Sequence, residues 1–281
     1  MPMLKRNIFF VLLLLPLLLA GCTEYNRVLK SKDIDEKYDY AKMYYAEGKY
    51  VKAATLLSDV VPIYRGTEKA EDALYLLAMS YFKMEIYTGD VNGNDANTYF
   101  HRYLSNFPRG SKAEECRFNM AYGSYASSPD ARLEQFETRE AIKALDTFLD
   151  LYPRSPLADS ATVMRFEMSD KLCYKELLSA RLYLNLGSYM GNNYEAAVIT
   201  ARNAQNDYPY SKYREDLAYI IFKARYEAAV NSVEEKRQER LREAFDEYYT
   251  FVNEFPQGKY NKEVKHDFAR INKQLEQYGE E

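Results

Sequence analysis

The sequence predicts an all-α protein, a superhelical stack of about five helix pairs, on three observations. Four prolines recur in one frame, each preceded by an aromatic residue and followed two residues later by Gly or Ser: Pro108, Pro153, Pro209 and Pro256. Alanine and apolar residues recur at fixed distances before these prolines, in the spacing of one helix face. Only 11 Gly and 9 Pro occur in 281 residues, too few for a turn-rich all-β chain.

The N-terminal segment has the features of a bacterial lipoprotein signal peptide. Lys5 and Arg6 precede an apolar run of 13 residues, which ends in Leu19-Ala20-Gly21-Cys22. Such a run is too short to span a bilayer but suits the core of a signal peptide, and small residues directly before a Cys match the lipobox. We therefore expect residues 1–21 to be removed and Cys22 to carry the lipid anchor. An ordinary signal peptide is the alternative.

Composition divides the remaining chain into a short tether and two groups of repeats. Residues 22–33 are expected to form a polar, lipidated tether, residues 34–125 the N-terminal repeats and residues 126–281 the C-terminal repeats. Lys and Arg number 38 against 42 Asp and Glu, and this acidic balance disfavours a nucleic-acid binder. Cys116 and Cys173 lie in apolar helical patterns. Both are expected to be buried free thiols, although the sequence leaves a disulfide open.

The segments before the prolines have the spacing of the second helix of a tetratricopeptide repeat. Twelve residues before each proline stands an alanine that lets two helices approach closely: Ala96, Ala141, Ala197 and Ala244. The proline ends the helix, because it disfavours the α conformation of its predecessor. The first helix of each pair has its own alanine, at Ala41, Ala78, Ala121 and Ala180. Residues 111–114 and 232–235 have the pattern of capping boxes, in which a serine starts a helix.

Aromatic residues mark one face of the first three first helices. Positions −3, +1 and +4 from the contact alanine are expected to point to the concave side of the stack, and seven of these nine residues are aromatic. The set, which we call the groove residues, comprises Tyr38, Lys42, Tyr45, Tyr75, Met79, Phe82, Phe118, Tyr122 and Tyr125. Rings suit apolar side chains and hydroxyls suit backbone groups of an extended peptide. The pattern predicts a peptide-binding groove, with packing between repeats as the alternative.

Motifs of catalysis, nucleotide binding and metal binding are not found in the sequence. It lacks G-x-x-x-x-G-K-[ST], G-x-G-x-x-G, H-E-x-x-H and C-x-x-C. The segment from Asp90 to Asp95 begins like an EF-hand loop, but Gly is missing at the sixth position and His101 stands at the twelfth, where Glu is needed. His101 and His266 are far apart in sequence, and each is expected to be a solvated or half-buried helix residue rather than a metal ligand. We expect no enzymatic activity, no cofactor and no metal site.

The lipobox, the short polar tether and the elongated repeats together resemble the BamD-type outer-membrane β-barrel assembly lipoproteins of the tetratricopeptide-repeat family. The resemblance covers nearly the whole mature chain and is sharpest at Ala180–Leu184, Tyr194–Ala197 and Tyr208-Pro209. It implies a non-enzymatic scaffold that is lipid-anchored at the periplasmic face of the outer membrane. It also implies that the N-terminal repeats bind unfolded barrel precursors, and that the C-terminal repeats bind a POTRA domain of a BamA-like barrel.

The resemblance suggests where a partner docks. A partner-contacting arginine of characterised relatives falls at Thr200 here, and Arg202 follows two residues later on a different face. Both are treated as candidate docking residues, together with the charged segment Val233–Arg242. Two other interpretations stay open. One is a different envelope repeat adaptor, such as a Tol–Pal or peptidoglycan-synthesis coordinator. The other is a glycan-binding lipoprotein resembling SusD, although such proteins are longer and rely on Trp, which is absent here.

Overall fold

The computed structural model describes residues 24–88 and 95–279. Cys22, the signal segment and most of the loop from Asp90 to Asp95 lie outside the described residues, so the lipid anchor on Cys22 stays a prediction. Helix is the only regular secondary structure in the described ranges. The all-α fold class predicted from the proline and alanine spacing is confirmed.

Eleven helices follow one another in the described residues from Ile34 onwards. They are α1 (Ile34–Ala46), α2 (Tyr50–Ile63), α3 (Ala70–Thr88), α4 (Asp95–Asn106), α5 (Ala113–Ala126), α6 (Phe136–Leu151), α7 (Ala158–Leu186), α8 (Asn193–Asp207), α9 (Arg214–Val230), α10 (Glu234–Glu254) and α11 (Asn261–Glu276). Odd-numbered helices are the first helices of pairs and even-numbered ones are second helices. The length beyond a plain 34-residue repeat is found in α7, with 29 residues, and in α10, with 21.

The recurring proline ends the second helices as predicted. Helices α4, α6, α8 and α10 each stop two residues before their proline. The contact alanines of these helices are almost completely buried, because a small side chain lets the neighbouring backbone approach closely. Consecutive helices pack together from α1 to α5 and from α8 to α11, and α1 also packs on α3, α3 on α5 and α9 on α11. This second set of contacts joins one pair to the next, as in a tetratricopeptide-type stack.

The chain divides into two compact units. The first contains residues 1–127 and 144–158, and the second contains residues 128–143 and 159–281. The first unit has one apolar cluster that includes the facing sides of α1 to α4. The second unit has one cluster in α7, α8 and α9 and another in α9, α10 and α11. Cys116 and Cys173 are both buried free thiols, as expected from their apolar surroundings in the sequence.

Each proline turn is bonded to a carboxylate on the first helix of its own pair. The Ser111 N–H donates to Glu71 at 2.8 Å and the Tyr260 N–H to Glu215 at 3.2 Å. At the other two turns a hydroxyl donates: Ser155 to Glu114 at 2.5 Å and Ser211 to Asp170 at 2.6 Å. Hydrogen bonds to an ionised acceptor are stronger than neutral ones. These contacts therefore fix the turn that leads into the next pair.

The turn of the second pair replaces the serine hydroxyl with a tyrosine hydroxyl. In the third pair, Ser155 Oγ donates to its carboxylate and accepts the N–H of Leu157 at 3.0 Å. In the second pair, Gly110 stands at the place of Ser155, and Tyr103 Oη fills the space. Tyr103 Oη donates to Glu71 at 2.7 Å and accepts the N–H of Lys112 at 3.1 Å. The Tyr103 hydroxyl thus makes the two hydrogen bonds that the Ser155 hydroxyl makes in the third pair, one to the carboxylate and one from the backbone N–H.

The two predicted capping boxes are wrong. Helix α5 is preceded by Lys112 and α10 by Val233, and neither cap residue makes a side-chain hydrogen bond to the helix. Ser111 and its expected partner are engaged in the proline-turn contacts instead, and Ser232 Oγ accepts from Arg240 at 3.1 Å. Contacts with residues distant in sequence therefore outcompete the local cap at both sites.

The first described residues are folded onto the first pair. Residues 24–29 are helical, Val28 is fully buried, and the Tyr25 ring meets the Tyr44 ring edge-on at 5.8 Å. Arg27 forms an ion pair with Glu36 at 2.7 Å. Within the segment expected to be a tether, these six residues are therefore part of the first unit.

Candidate protein-binding surfaces

Four of the groove residues are buried between helices of the first unit. Tyr38, Tyr75, Met79 and Phe82 expose 5 %, 8 %, 5 % and 7 % of their surface. As they stand in the structure, these side chains do not line an open groove. For them the alternative interpretation, packing between repeats, is the correct one.

A hydrogen-bond ladder between successive first helices explains this burial. Tyr38 Oη donates to Asp72, and Tyr75 Oη donates to Glu115 at 2.6 Å. Both carboxylates lie in the first turn of the next first helix. Burial and the adjacent carboxylate raise the pKa of both phenols above the ordinary value, so both remain neutral donors. Each ring is therefore held between two helices by its own hydroxyl.

Lys42 and Tyr45 give α1 an accessible aromatic and cationic surface. The Lys42 side chain is exposed and its Nζ lies 4.5 Å from the centre of the Tyr38 ring, within the range of a cation–π contact. Tyr45 is half-buried, and its ring meets that of Tyr50 edge-on at 5.5 Å.

The groove residues of α5 are half-buried. Phe118 lies 5.4 Å from the ring of Phe148. Tyr122 lies 6.1 Å from the ring of Phe82 and 6.0 Å from that of Tyr125. The groove residues that present surface are therefore Lys42, Tyr45, Tyr122 and Tyr125, with part of Phe118.

The two candidate docking residues lie on α8 of the second unit. Thr200 is half-buried and Arg202 is exposed. The Arg202 guanidinium donates to Glu247 on α10 at 2.8 Å, which links the second helices of consecutive pairs. The side chain of Arg202 is 53 % exposed and that of Glu247 is 12 % exposed. An incoming acidic group can therefore reach the arginine without entering the core.

The second unit joins its first helices through ions as well as phenols, which the sequence pattern did not reveal. Tyr219 Oη donates to Glu263 at 2.7 Å, in the register of the ladder of the first unit. Lys223 pairs with Asp267 at 2.6 Å, and their side chains are 20 % and 5 % exposed. Burial lowers the pKa of Lys223, but the bond to Asp267 more than offsets this and the pKa is raised. Lys223 therefore stays charged.

Asp216 on α9 accepts hydrogen bonds from three residues of the second unit. It accepts from Arg181 at 2.9 Å, from Lys259 at 2.7 Å and from Tyr260 at 2.7 Å. Burial raises the pKa of Asp216, but the bonds from Lys259 and Tyr260 outweigh burial, so the pKa is lowered. Asp216 therefore connects α7, α9 and the turn before α11.

The described residues, 24–88 and 95–279, were also searched for metal sites, reactive thiols and membrane-spanning helices. Within these ranges no group of three His, Cys, Asp or Glu side chains could hold a metal ion, and His101 and His266 are both exposed. Burial raises the pKa of the Cys116 thiol to about 12, so this thiol stays protonated. Within the same ranges, every helix is too short or too polar to cross a bilayer.

Comparison with known families identifies the class of protein. A family model described as YfiO, outer membrane lipoprotein, matches residues 30–225, which is more than half of the chain. The chain belongs to this family of outer membrane lipoproteins. The resemblance inferred from the lipobox and the repeats is thereby confirmed. The match takes in α1 to α8 and most of α9, whereas α10 and α11 lie beyond it. A comparison with curated proteins finds no match.

Proposed function

We propose that this outer membrane lipoprotein is a non-enzymatic scaffold of the β-barrel assembly machinery, held at the periplasmic face of the membrane by lipid on Cys22. The observation that carries the proposal is the family match over residues 30–225. The helix pairs support it, because stacked helical repeats expose extended surfaces suited to binding other proteins.

Barrel precursors bind, in this proposal, to the accessible part of the first unit. Lys42 and Tyr45 on α1 and Tyr122 and Tyr125 on α5 combine ring faces with hydroxyls and one cation. Such a surface suits an extended chain that offers aromatic side chains and backbone polar groups. The buried members, Tyr38 among them, contribute by holding the helices that carry these residues.

A POTRA domain of a BamA-like barrel docks, in this proposal, on α8 and α10 around Arg202. The Arg202–Glu247 pair lies at the surface, where charges act mainly on the rate and specificity of association. Thr200 lies on the same helix, and it offers a hydroxyl where characterised relatives have a partner-contacting arginine.

Photo-crosslinking in whole cells tests the client site. A photoreactive residue in place of Tyr45 is expected to capture unfolded outer-membrane barrel precursors, because the Tyr45 side chain is only half-buried. The matched control places the same residue at Phe82, which is 7 % exposed, and is expected to capture far less. Equal capture at both positions, or capture of other protein classes only, would contradict the client site.

Depletion and co-purification test the assignment to barrel assembly. Loss of the chain is expected to reduce many outer-membrane barrel proteins at once, and a BamA-like barrel is expected to co-purify from detergent-solubilised envelopes. Normal barrel levels after depletion would instead favour an adaptor of the Tol–Pal or peptidoglycan-synthesis type.

A further inference from the structure

The connection between α7 and α8 presents apolar side chains to solvent. Leu182 and Leu186, one turn apart at the end of α7, are 58 % and 37 % exposed. Beyond the helix, Tyr189 and Met190 are 68 % and 89 % exposed. We call these four residues the α7–α8 tip. Single exposed apolar residues are common on protein surfaces, but four in one short segment indicate a contact with something apolar.

The segment that contains the tip carries no charge. Residues 182–194 include no Asp, Glu, Lys, Arg or His. The nearest charges in sequence on both sides are already paired, Arg181 with Asp216 at 2.9 Å and Glu195 with Arg225 at 2.6 Å. Whatever contacts the tip therefore meets apolar and neutral polar groups, with no ion to recognise.

Three other connections between a first and a second helix differ in this respect. Residues 47–49, between α1 and α2, include a Glu and a Lys, and residues 127–135, between α5 and α6, include an Asp, an Arg and a Glu. Between α9 and α10, Val233 is 62 % exposed, but the exposed Glu234 and Glu235 follow it directly. Among these four connections, the one between α7 and α8 is the apolar one.

Hydrogen bonds within the connection hold the tip in a fixed conformation. The Tyr189 N–H donates to the carbonyl of Leu186 at 2.9 Å, and the Asn193 N–H donates to the carbonyl of Gly187 at 3.0 Å. The Asn193 side-chain amide donates to the carbonyl of Tyr189 at 2.7 Å. Three carbonyls of the tip are thus satisfied without water, which lowers the cost of moving them into an apolar environment.

Met190 is held in a backbone conformation that does not favour methionine. Its φ is 55°, in the left-handed region that Gly and Asn occupy more readily. The side chain is also the most exposed of the four tip residues, so it gains little from packing within the chain. A strained backbone that displays an apolar side chain to solvent indicates a function outside the fold.

We propose that the α7–α8 tip enters the outer membrane at the level of the lipid headgroups and the upper acyl chains. Tyrosine suits this level, because its ring is apolar and its hydroxyl can stay hydrated. A lipid surface fits an uncharged tip better than a protein partner does, since protein interfaces have a polar rim and use charges for specificity.

The proposal rests on the membrane location of the family and on the lipid predicted on Cys22, and it does not depend on a role in barrel assembly. Once the lipid confines the chain to the bilayer, the local lipid concentration is high, and a shallow insertion is enough for a second contact. The tip would then restrict how the second unit moves at the membrane surface.

Site-specific fluorescence on vesicles tests this contact. The full acylated chain is placed on phosphatidylcholine vesicles, and Ser188→Cys, beside the tip, carries an environment-sensitive dye. Cys116 and Cys173 are buried, so the dye is expected to react at position 188. Its emission is expected to shift to the blue and to be quenched by lipids with a nitroxide near the top of the acyl chain. The matched control, Tyr210→Cys, labels an 85 % exposed position beyond the other end of α8 and is expected to show neither change.

Two variants locate the contact on the tip. Tyr189→Ser/Met190→Asn is expected to abolish the blue shift and the quenching at Ser188→Cys. It is expected to fold, because both side chains are exposed and Asn adopts a positive φ more readily than Met, and circular dichroism checks this. The control Val233→Ser removes an exposed apolar residue of another connection and is expected to leave the quenching unchanged. Added phosphatidylglycerol is also expected to have no effect, because the tip has no charge.

Three outcomes would overturn the proposal. The dye at Ser188→Cys is quenched as weakly as the dye at Tyr210→Cys, which would place the tip in water. Quenching requires phosphatidylglycerol and disappears in high salt, which would make the contact electrostatic. A photoreactive residue in place of Met190 captures one protein in whole cells while the vesicles leave the dye unquenched, which would make the tip a protein-binding surface. If flotation shows that the chain lacks its anchor, the same quenching is measured at high vesicle concentration, so that the two failures are distinguished.

Discussion

The first and the second unit join their first helices at the same register positions but with different chemistry. In both units a tyrosine donates to a carboxylate in the first turn of the next first helix. Four residues after Tyr75, the first unit has Met79, whose Sδ accepts from Asn119 at 3.2 Å. The second unit has Lys223 at that position, paired with Asp267 at 2.6 Å.

The comparison indicates that the tyrosine sets the register between successive first helices. The position four residues after it accepts either a neutral or a charged pair. A neutral contact is insensitive to salt, whereas even a partly buried ion pair depends on pH and on both partners remaining present. The link between α9 and α11 is therefore more sensitive to charge than the link between α3 and α5. Four predictions, in order of expected effect, test this contrast.

The largest expected effect comes from removing one ion of the buried pair. Lys223→Met leaves the carboxylate of Asp267, which is 5 % exposed, without its principal partner, and is expected to lower the free energy of unfolding by about 3 kcal/mol. Urea denaturation followed by circular dichroism measures this. The double variant Lys223→Met/Asp267→Asn copies Met79 and Asn119 and is expected to return to within about 1 kcal/mol of the unchanged protein. A double variant as unstable as the single one would contradict the equivalence of the two positions.

The proline turns provide a second comparison between the units. Gly110→Ser in the first unit is expected to cost about 2 kcal/mol, because a Cβ there lies 2.5 Å from Tyr103 Oη and 2.8 Å from a Glu71 carboxylate oxygen. Tyr103→Phe removes the competing hydroxyl, so Tyr103→Phe/Gly110→Ser is expected to recover most of the loss. The double variant imitates Ser211, whose hydroxyl already bonds the carboxylate in the second unit. Thermal unfolding measures all three variants, and additive losses would show that the two hydroxyls do not share one site.

Acid is expected to weaken the second unit through Asp216. The pKa of this carboxyl is below its ordinary value of 3.8, so its ionisation stabilises the folded state above about pH 4. That contribution is lost as the pH falls from 3.8 through the lower pKa of the folded state. Urea unfolding between pH 3 and pH 6 measures the slope, and Asp216→Asn is expected to flatten it. If the free energy of unfolding of Asp216→Asn depends on pH as steeply as that of the unchanged protein, other carboxylates cause the acid sensitivity.

The smallest expected effect is at Arg202. Its ion pair with Glu247 lies at the surface, and exposed pairs contribute about 0.5 kcal/mol. Arg202→Ala is therefore expected to leave the free energy of unfolding nearly unchanged while it weakens binding of a purified POTRA domain, measured by calorimetry. A large loss of stability would show that the arginine is structural.

Local features of the sequence were sufficient to predict the helix pairs. The proline marks a helix end through its own backbone geometry, and the alanine marks a close approach through its own size, so neither needs knowledge of the rest of the chain. The burial of Tyr38 and Tyr75 could not be predicted in this way. It depends on carboxylates 34 and 40 residues away, and the separation changes with the length of each connection.

Partners that are distant in sequence also explain why the capping boxes were wrongly predicted and why the ion pairs were missed. Ser111 has the right neighbours for a helix cap, but its N–H and hydroxyl reach Glu71, 40 residues earlier. Lys223 and Asp267 lie 44 residues apart, and only the alignment of α9 with α11 shows that they face each other. A sequence comparison made in the register of the ladder tyrosine, rather than of the proline, would have paired them.

The folded residues 24–29 limit how far an acylated chain could move from the bilayer. Only two peptide steps separate Cys22 from residue 24, and two extended residues span at most about 7 Å. A lipid on Cys22 would therefore hold the first helix pair beside the headgroups instead of letting it explore the space around its anchor. A barrel precursor that binds at Tyr45, as proposed above, would therefore have to come to the membrane surface.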